Sequence, residues 1–410
     1  MYFVQRFNSF VVLALVFMVQ ASTDHRPIRS EFEGGTVRAF VNEKPVLLLL
    51  DSGAVRCGLD EDFRKAMGIK VLSEFTVAVP SGTVSIPLCE SVDLTIDRYP
   101  VRSVEPAQLP RQMFGGSGRR IDGIVGLDVL SSHVLVITSG SVSIRDSVPS
   151  RFDVIQRFDL RHVDSRVPAV PTVPVLIPTL EGQQIKIDTG SNECIRLEET
   201  IIASLRGNQQ IVSGLSYFSS DAKGTASGTG YILREMIVGG VRFRNVPVSA
   251  AHDNAIGLEV LRHLNLALDF PKGRILVGKP PQEMVDYFPQ NGSGMGTRFD
   301  ADDNLRVLAV RPSGAAELAG IEVGDIVVVL GNKKPVELSI YDVNDILAQN
   351  GRTIPVKLRR DNTDFTVNLP LKLPFEYPPN WALLDKEQKA FDQFLREQDN
   401  KDLEEGKKCR

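Results

Sequence analysis

Two aspartates in this chain sit in nearly the same words. Asp51 lies in Leu47-Leu48-Leu49-Leu50-Asp51-Ser52-Gly53-Ala54, and Asp188 in Gln184-Ile185-Lys186-Ile187-Asp188-Thr189-Gly190-Ser191. Each word is an apolar run, then Asp, a small hydroxyl residue, Gly and another small residue. A Cys follows each Asp by six positions, Cys57 after Asp51 and Cys194 after Asp188. An Asp at the end of an apolar strand starts where water is already scarce, so its carboxylate must neutralise or find partners. Gly53 and Gly190 permit a tight turn and a close backbone approach, so their N–H groups can donate to a carboxylate. Ser52 and Thr189 supply hydroxyls that can tie one turn to the other. Two such turns facing each other bring two carboxylates to about 3 Å, where both cannot ionise and one proton is shared. One then serves as general base on a water and the other as general acid on a carbonyl oxygen. That pair hydrolyses an amide with no covalent intermediate and with no metal or organic cofactor.

The elements that must position these residues repeat as well. Ile124-Val125-Gly126-Leu127-Asp128-Val129-Leu130 follows Asp51 by 75 residues (126 − 51), and Ala255-Ile256-Gly257-Leu258-Glu259-Val260-Leu261 follows Asp188 by 69 (257 − 188). A lone Asp-Ser-Gly is a common turn word. Its repetition with the same distal word marks an internal duplication. Residues 27–150 read as β structure, with strands at 36–40 and 45–50, a helix over 60–67 and a hairpin around Ser81-Gly82. A Gly-rich loop spans 108–120. A linker is expected over 147–168, after which the pattern returns through 169–280, with a second hairpin at Asp221-Ala222-Lys223-Gly224. Asp128 and Glu259 are matched acids suited to the first turn of a short helix. His133 and His263 follow them at nearly matching places and read as packed or solvated.

These residues resemble the aspartic proteases of pepsin and retropepsin type. The family's word fits Leu49-Leu50-Asp51-Ser52-Gly53-Ala54 and Ile185-Lys186-Ile187-Asp188-Thr189-Gly190-Ser191, and its distal word fits Ile124-Val125-Gly126 and Ala255-Ile256-Gly257. The resemblance covers residues 30–280. It implies a mainly β fold of two pseudo-symmetric barrel lobes in one chain, with Asp51 and Asp188 as the catalytic dyad and Ser52, Gly53, Thr189 and Gly190 supporting it. It also implies a monomer acting on polypeptide substrates, and a distal segment that threads beside the active-site loop. Pepsin's flap Tyr has no counterpart in Val79-Pro80-Ser81-Gly82-Thr83. Short hairpins in both lobes are expected, as in a fused retropepsin pair.

Val310-Arg311-Pro312-Ser313-Gly314-Ala315-Ala316-Glu317-Leu318-Ala319-Gly320-Ile321-Glu322-Val323-Gly324-Asp325-Ile326 resembles the PDZ modules of bacterial secreted proteases, and the match runs over 290–373. The resemblance implies a small β-barrel with two helices. It places a carboxylate-binding loop at Gly294, Met295, Gly296 and Thr297, which would hold peptide C-termini while the peptide adds to the neighbouring strand. A charged tail with a helix near 385–397 closes the chain over 374–410.

The 410 residues, 42% hydrophobic and 24% charged, are ordinary for globular protein. A net charge of −4 gives no polycationic footprint, so nucleic acid and anionic membrane surfaces are not expected partners. Arg6, the apolar run Phe10 to Val19 and Val19-Gln20-Ala21 read as a secretory signal over 1–21, cleaved after Ala21. The run is too short for a comfortable membrane span. Export to the periplasm or the outside permits disulfides, and Cys57 with Cys89 would staple the first lobe, although most of the four cysteines read as small buried apolar residues. The scattered histidines and cysteines give no metal site. The expected function is an exported aspartic endopeptidase whose PDZ module binds chain termini or regulates access. The alternative is an inactive, protease-like peptide-binding protein acting through that module. A trypsin-like serine protease is excluded, because Gly-Asp-Ser-Gly-Gly is absent and Leu50, not Gly, precedes Asp51.

Overall fold

The strand that carries Asp51 begins in a tight hairpin. Thr36–Val41 and Lys44–Leu50 pair antiparallel, and Asn42 and Glu43 between them both take left-handed backbone (φ 46° and 66°). A two-residue turn of that hand matches the twist of its strands and fixes the register. Val46, Leu48 and Leu50 point into the main core, while Leu49 packs against Ile86, Leu109 and Ile124 on the opposite face. The run of four leucines is apolar on both sides because both faces of the strand are covered.

The computed structural model describes residues 28–372, apart from 30–34, 97–98, 114–120, 139–140, 161–169, 209, 222, 287, 289–290, 301–303 and 339. The expected signal at 1–21, the tail at 374–410 with Cys409, and the Gly-rich centre of the 108–120 loop lie outside the described residues.

The fold is mainly β. Thr36–Val41 and Lys44–Leu50 belong to a nine-stranded sheet that also contains the hairpin Val71–Val79 with Gly82–Cys89. An eight-stranded sheet contains Leu180–Ile187, which ends at Asp188, and the hairpin Ile211–Asp221 with Gly224–Val238. The two sheets share a local plan. Lys44–Leu50 pairs in parallel with Gly123–Val125, and Leu180–Ile187 pairs in parallel with Ala255–Ile256. In each case the short partner leads through a Gly into a one-turn helix, Leu127–Leu130 or Leu258–Leu261.

A six-stranded sheet draws on both halves of the chain. Val134–Thr138 and Ser141–Arg145 from the first pair across Leu266–Asp269 to Arg274–Gly278 from the second. Buried residues of the first two sheets and of this one form one continuous core. The helix expected over 60–67 runs Glu61–Ala66, capped by the Asp60 carboxylate on the Asp62 and Phe63 N–H groups.

Two expectations are corrected here. The segment read as a linker contains the strand Val154–Asp159, which pairs with Arg274–Gly278 at the edge of the six-stranded sheet. Val154 and Ile155 on it are exposed, so its apolar residues do not show the alternation of a half-buried strand. The hairpins are also not equally short: the second has strands of 11 and 15 residues against 9 and 8 in the first.

Met295–Phe299, Leu305–Val310, Ile326–Leu330, Thr353–Arg360 and Thr363–Pro370 form a separate five-stranded sheet. With the helices Ala315–Leu318 and Ile340–Leu347 it encloses its own core, around Leu305, Val307, Ala316, Val327, Val343 and Val356. No described helix is long and apolar enough to cross a membrane.

Candidate active site

Asp51 and Asp188 end the strands Lys44–Leu50 and Leu180–Ile187, and both are buried, each 7% exposed. Each turn closes on its own aspartate. Gly53 and Ala54 N–H donate to Asp51 Oδ1 at 2.8 and 3.0 Å, and Gly190 N–H donates to Asp188 Oδ1 at 3.1 Å.

The glycines also set how near the two turns come. A Cβ on Gly53 would lie 2.5 to 2.7 Å from the Asp188 carboxyl carbon and oxygens. A Cβ on Gly190 would lie 2.5 and 2.6 Å from the two Asp51 carboxylate oxygens. Each turn therefore presses its Gly against the opposite carboxylate, a contact no other residue could make.

The hydroxyls lock this approach. Ser52 Oγ donates to Ile187 O at 2.7 Å, and Thr189 Oγ1 donates to Leu50 O at 2.7 Å. In return Ser52 N–H donates to Thr189 Oγ1 and Thr189 N–H to Ser52 Oγ, at 3.0 and 3.1 Å. Ser52 and Thr189 are both fully buried. The bonds are reciprocal, so the two turns form one rigid unit although they lie 137 residues apart.

The distal words pass directly behind these turns. Leu127 N–H donates to Ala54 O and Leu258 N–H to Ser191 O. A Cβ on Gly126 would strike Arg56, and one on Gly257 would strike Glu193 and Ser191. Close backbone passage is thus the reason for Gly at both positions. Asp128 accepts from Cys57 N–H at 2.8 Å and Glu259 pairs with Arg262 at 3.0 Å, so these matched acids hold local structure. His133 lies edge-on to Tyr99, and His263 to Phe243 and Phe288. Cys57, Cys89 and Cys194 are buried free thiols, so the Cys57–Cys89 staple is not formed.

The surroundings of the two aspartates are unequal, which the paired words do not indicate. Arg196, itself buried, donates to Asp188 Oδ2 at 2.6 Å. It also holds Asp253 through Nε at 3.1 Å, with Glu193 Oε2 3.8 Å from its other nitrogen. Lys186 Nζ lies 2.5 Å from Asp253 Oδ2 and 3.9 Å from Asp188 Oδ2. Among the described residues, the matching places in the first half carry no cation. Lys186, two before its Asp, stands where Leu49 stands before Asp51. Arg196 faces Ala255, two before Gly257, whereas Ile124, two before Gly126, faces Gly58.

The electrostatics follow from this inequality. Burial, then the charge of Asp188, pushes the Asp51 carboxyl up to about 7. Burial also raises Asp188, but Arg196 and Lys186 together outweigh it and leave Asp188 below the usual carboxylate range. The two carboxyls are thus pushed apart, Asp51 toward its protonated form and Asp188 toward its ionised form, and so close a pair titrates jointly.

In the five-stranded sheet, the predicted carboxylate loop is only partly a loop. Gly294 takes left-handed backbone (φ 75°), but Met295, Gly296 and Thr297 lie within the strand Met295–Phe299 and pair with Leu305–Val310. Met295 N–H already donates to Ser293 Oγ at 3.1 Å. The turn here is Asn291–Gly294, in which Ser293 is fully buried and bonded to Asn291, so of the four residues read as a loop only Gly294 lies in a turn.

Residues 37–129 match the family model described as Aspartyl protease. That span contains Asp51 and the first distal word, and this region is aspartyl-protease-like. A stretch of 111 residues is 33% identical to the serine endoprotease DegS of Salmonella typhimurium, covering 26% of this chain and 29% of that protein. Another of 91 residues is 32% identical to the serine protease HTRA1 of Xenopus tropicalis, covering 22% of this chain and 17% of that protein. The chain thus spans less than a third of the length of these curated relatives, and it is similar to proteases of two chemical types.

Proposed function

We propose that this chain is an exported aspartic endopeptidase, with Asp51 and Asp188 of one polypeptide as its dyad. The observation that supports it is the reciprocal approach of the two turns, each placing its Gly against the other's carboxylate. In the proposed reaction a water held between the aspartates loses a proton to the ionised one as its oxygen bonds to the amide carbon. The protonated Asp gives its proton to the carbonyl oxygen, and a gem-diol forms. Collapse breaks the C–N bond, the nitrogen takes the proton from the first Asp, and a diol hydroxyl returns a proton to the second. Rigid placement of both carboxylates supplies most of what such a reaction needs.

The serine proteases among the relatives suggest a nucleophilic serine instead. Ser52 does not suit that role: it is fully buried, and its hydroxyl is committed to Ile187 O. A second reading, peptide binding without hydrolysis, draws on the ion pair from Arg196 to Asp188, which stabilises the anion and lowers its basicity.

Digestion of an unfolded protein in heavy-oxygen water with added hydroxylamine separates the chemistries. Direct attack by water yields only new carboxylates carrying the heavy oxygen. Hydroxamates at the new C-termini would reveal an acyl-enzyme and end the aspartic assignment. Export predicts a mature N-terminus at Ser22, readable by mass spectrometry.

We read the five-stranded sheet as a PDZ module that recruits polypeptide ends to the dyad. Among the described residues Met295–Phe299 is an edge strand paired on one side only, which suits addition of an extended peptide.

A further inference from the structure

The paired words describe two equal aspartates, but the cations lie on one side. Arg196 reaches Asp188 from the strand Ile195–Glu198, and Lys186 reaches it from Asp188's own strand. Asp253, in the turn before Ala255–Ile256, binds both cations, and Glu193 faces Arg196 from the loop after Asp188. Across the two turns, the charged group facing Asp188 is Asp51. The charge of Lys186 reaches Asp51 too and lowers it, but less than burial and Asp188 raise it. Among the described residues the ion pairs with Arg196 and Lys186 are made by Asp188, and on the Asp51 side Leu49 and Gly58 hold the corresponding places.

We propose that Arg196 and Lys186, held in place by Asp253, are positioning residues that keep Asp188 ionised and so commit the dyad's single proton to Asp51. On this reading, which rests on the aspartic-protease assignment, Asp188 is the general base on water and Asp51 the general acid on the carbonyl oxygen. An ionised carboxylate oxygen carries two lone pairs, so Asp188 Oδ2 can accept from Arg196 and still take a proton from water. A buried carboxylate without these cations would itself be protonated in acid. The cations therefore extend the singly protonated state of the pair to lower pH, while burial of Asp51 extends it to neutrality.

The test uses the mature chain labelled with carbon-13 at aspartate carboxyls, the two signals being assigned from Asp51→Asn and Asp188→Asn. At pH 5.5 the Asp188 signal is expected ionised and the Asp51 signal protonated, with the latter titrating near 7. The reverse arrangement, or a proton shared equally, would overturn the proposal. The role is read from cleavage of an unfolded polypeptide between pH 3 and 9. Arg196→Gln is expected to move the acid limb of kcat/KM upward by at least about one unit, roughly a tenfold loss at pH 4 relative to the peak. Arg196→Lys should restore most of it, and Lys186→Met should shift it the same way by less. Should Arg196→Gln not fold, Lys186→Met decides, since its side chain is partly exposed. A wild-type limb in every folded variant would refute the positioning role. Absence of cleavage by the wild type at any pH would refute the protease reading, whereas the carboxyl signals would still report where the proton resides.

Discussion

At the scale of single residues, the site depends on two hydrogens standing where side chains would not fit. Gly53→Ala and Gly190→Ala each place a methyl carbon 2.5 to 2.7 Å from the oxygens of the opposite carboxylate, far inside van der Waals contact, so the turns must separate. Either variant should lose at least about a hundredfold in kcat/KM, the scale of a misplacement near 1 Å. Asp51 gives a second prediction, from its raised value of about 7. The unfolded chain releases this proton near pH 4, but the folded chain keeps it to about 7. Stability from this group is therefore complete below about pH 4, declines from there to about 7 and is level above. Asp51→Asn, which keeps the acceptor for Gly53 and Ala54 N–H, should raise Tm at pH 8 and leave it nearly unchanged at pH 4. The aspartates, glycines and hydroxyls were legible because their words occur twice. Arg196 was not, because Ile195-Arg196-Leu197 reads as an ordinary strand with one solvent-facing cation. The available signal was Lys186 standing in place of Leu49.

At the scale of elements, the turns hold each other. Thr189→Val removes the donor to Leu50 O and the acceptor for Ser52 N–H. Each stranded buried group costs about 1–3 kcal/mol, so Tm should fall by several degrees in a thermal melt. Activity should fall further than stability, because the carboxylates lose their common frame. The local plan of strand, turn and distal Gly could be read from sequence, since backbone passage behind the turn demands Gly126 and Gly257. The strand Val154–Asp159 could not, because it lies at a sheet edge with exposed apolar residues and shows no alternation. Met295-Gly296-Thr297 looks like a Gly-rich turn in sequence, although its backbone continues the ladder to Leu305–Val310.

At the scale of the whole molecule, the two largest hydrophobic cores among the described residues are separate. One runs through the two sheets that carry the aspartates and the six-stranded sheet made by both halves, and ends at Val285 and Phe288. The other fills the five-stranded sheet and starts at Met295. A chain cut after residue 288 should keep a cooperative melt and the dyad, and lose binding of fluorescent peptides with free C-termini. Amidated peptides should bind the full chain more weakly than free acids. The six-stranded sheet, by contrast, is made by both halves, so neither aspartate has a frame without the other half. The most direct measurement of this account is cleavage of a denatured protein by the mature chain beside Asp51→Asn and Asp188→Asn, each shown folded by its melt. The dyad predicts cleavage by the wild type and at least about a thousandfold loss in both variants. Wild-type rates in either folded variant would show that peptide bonds are broken elsewhere in the molecule.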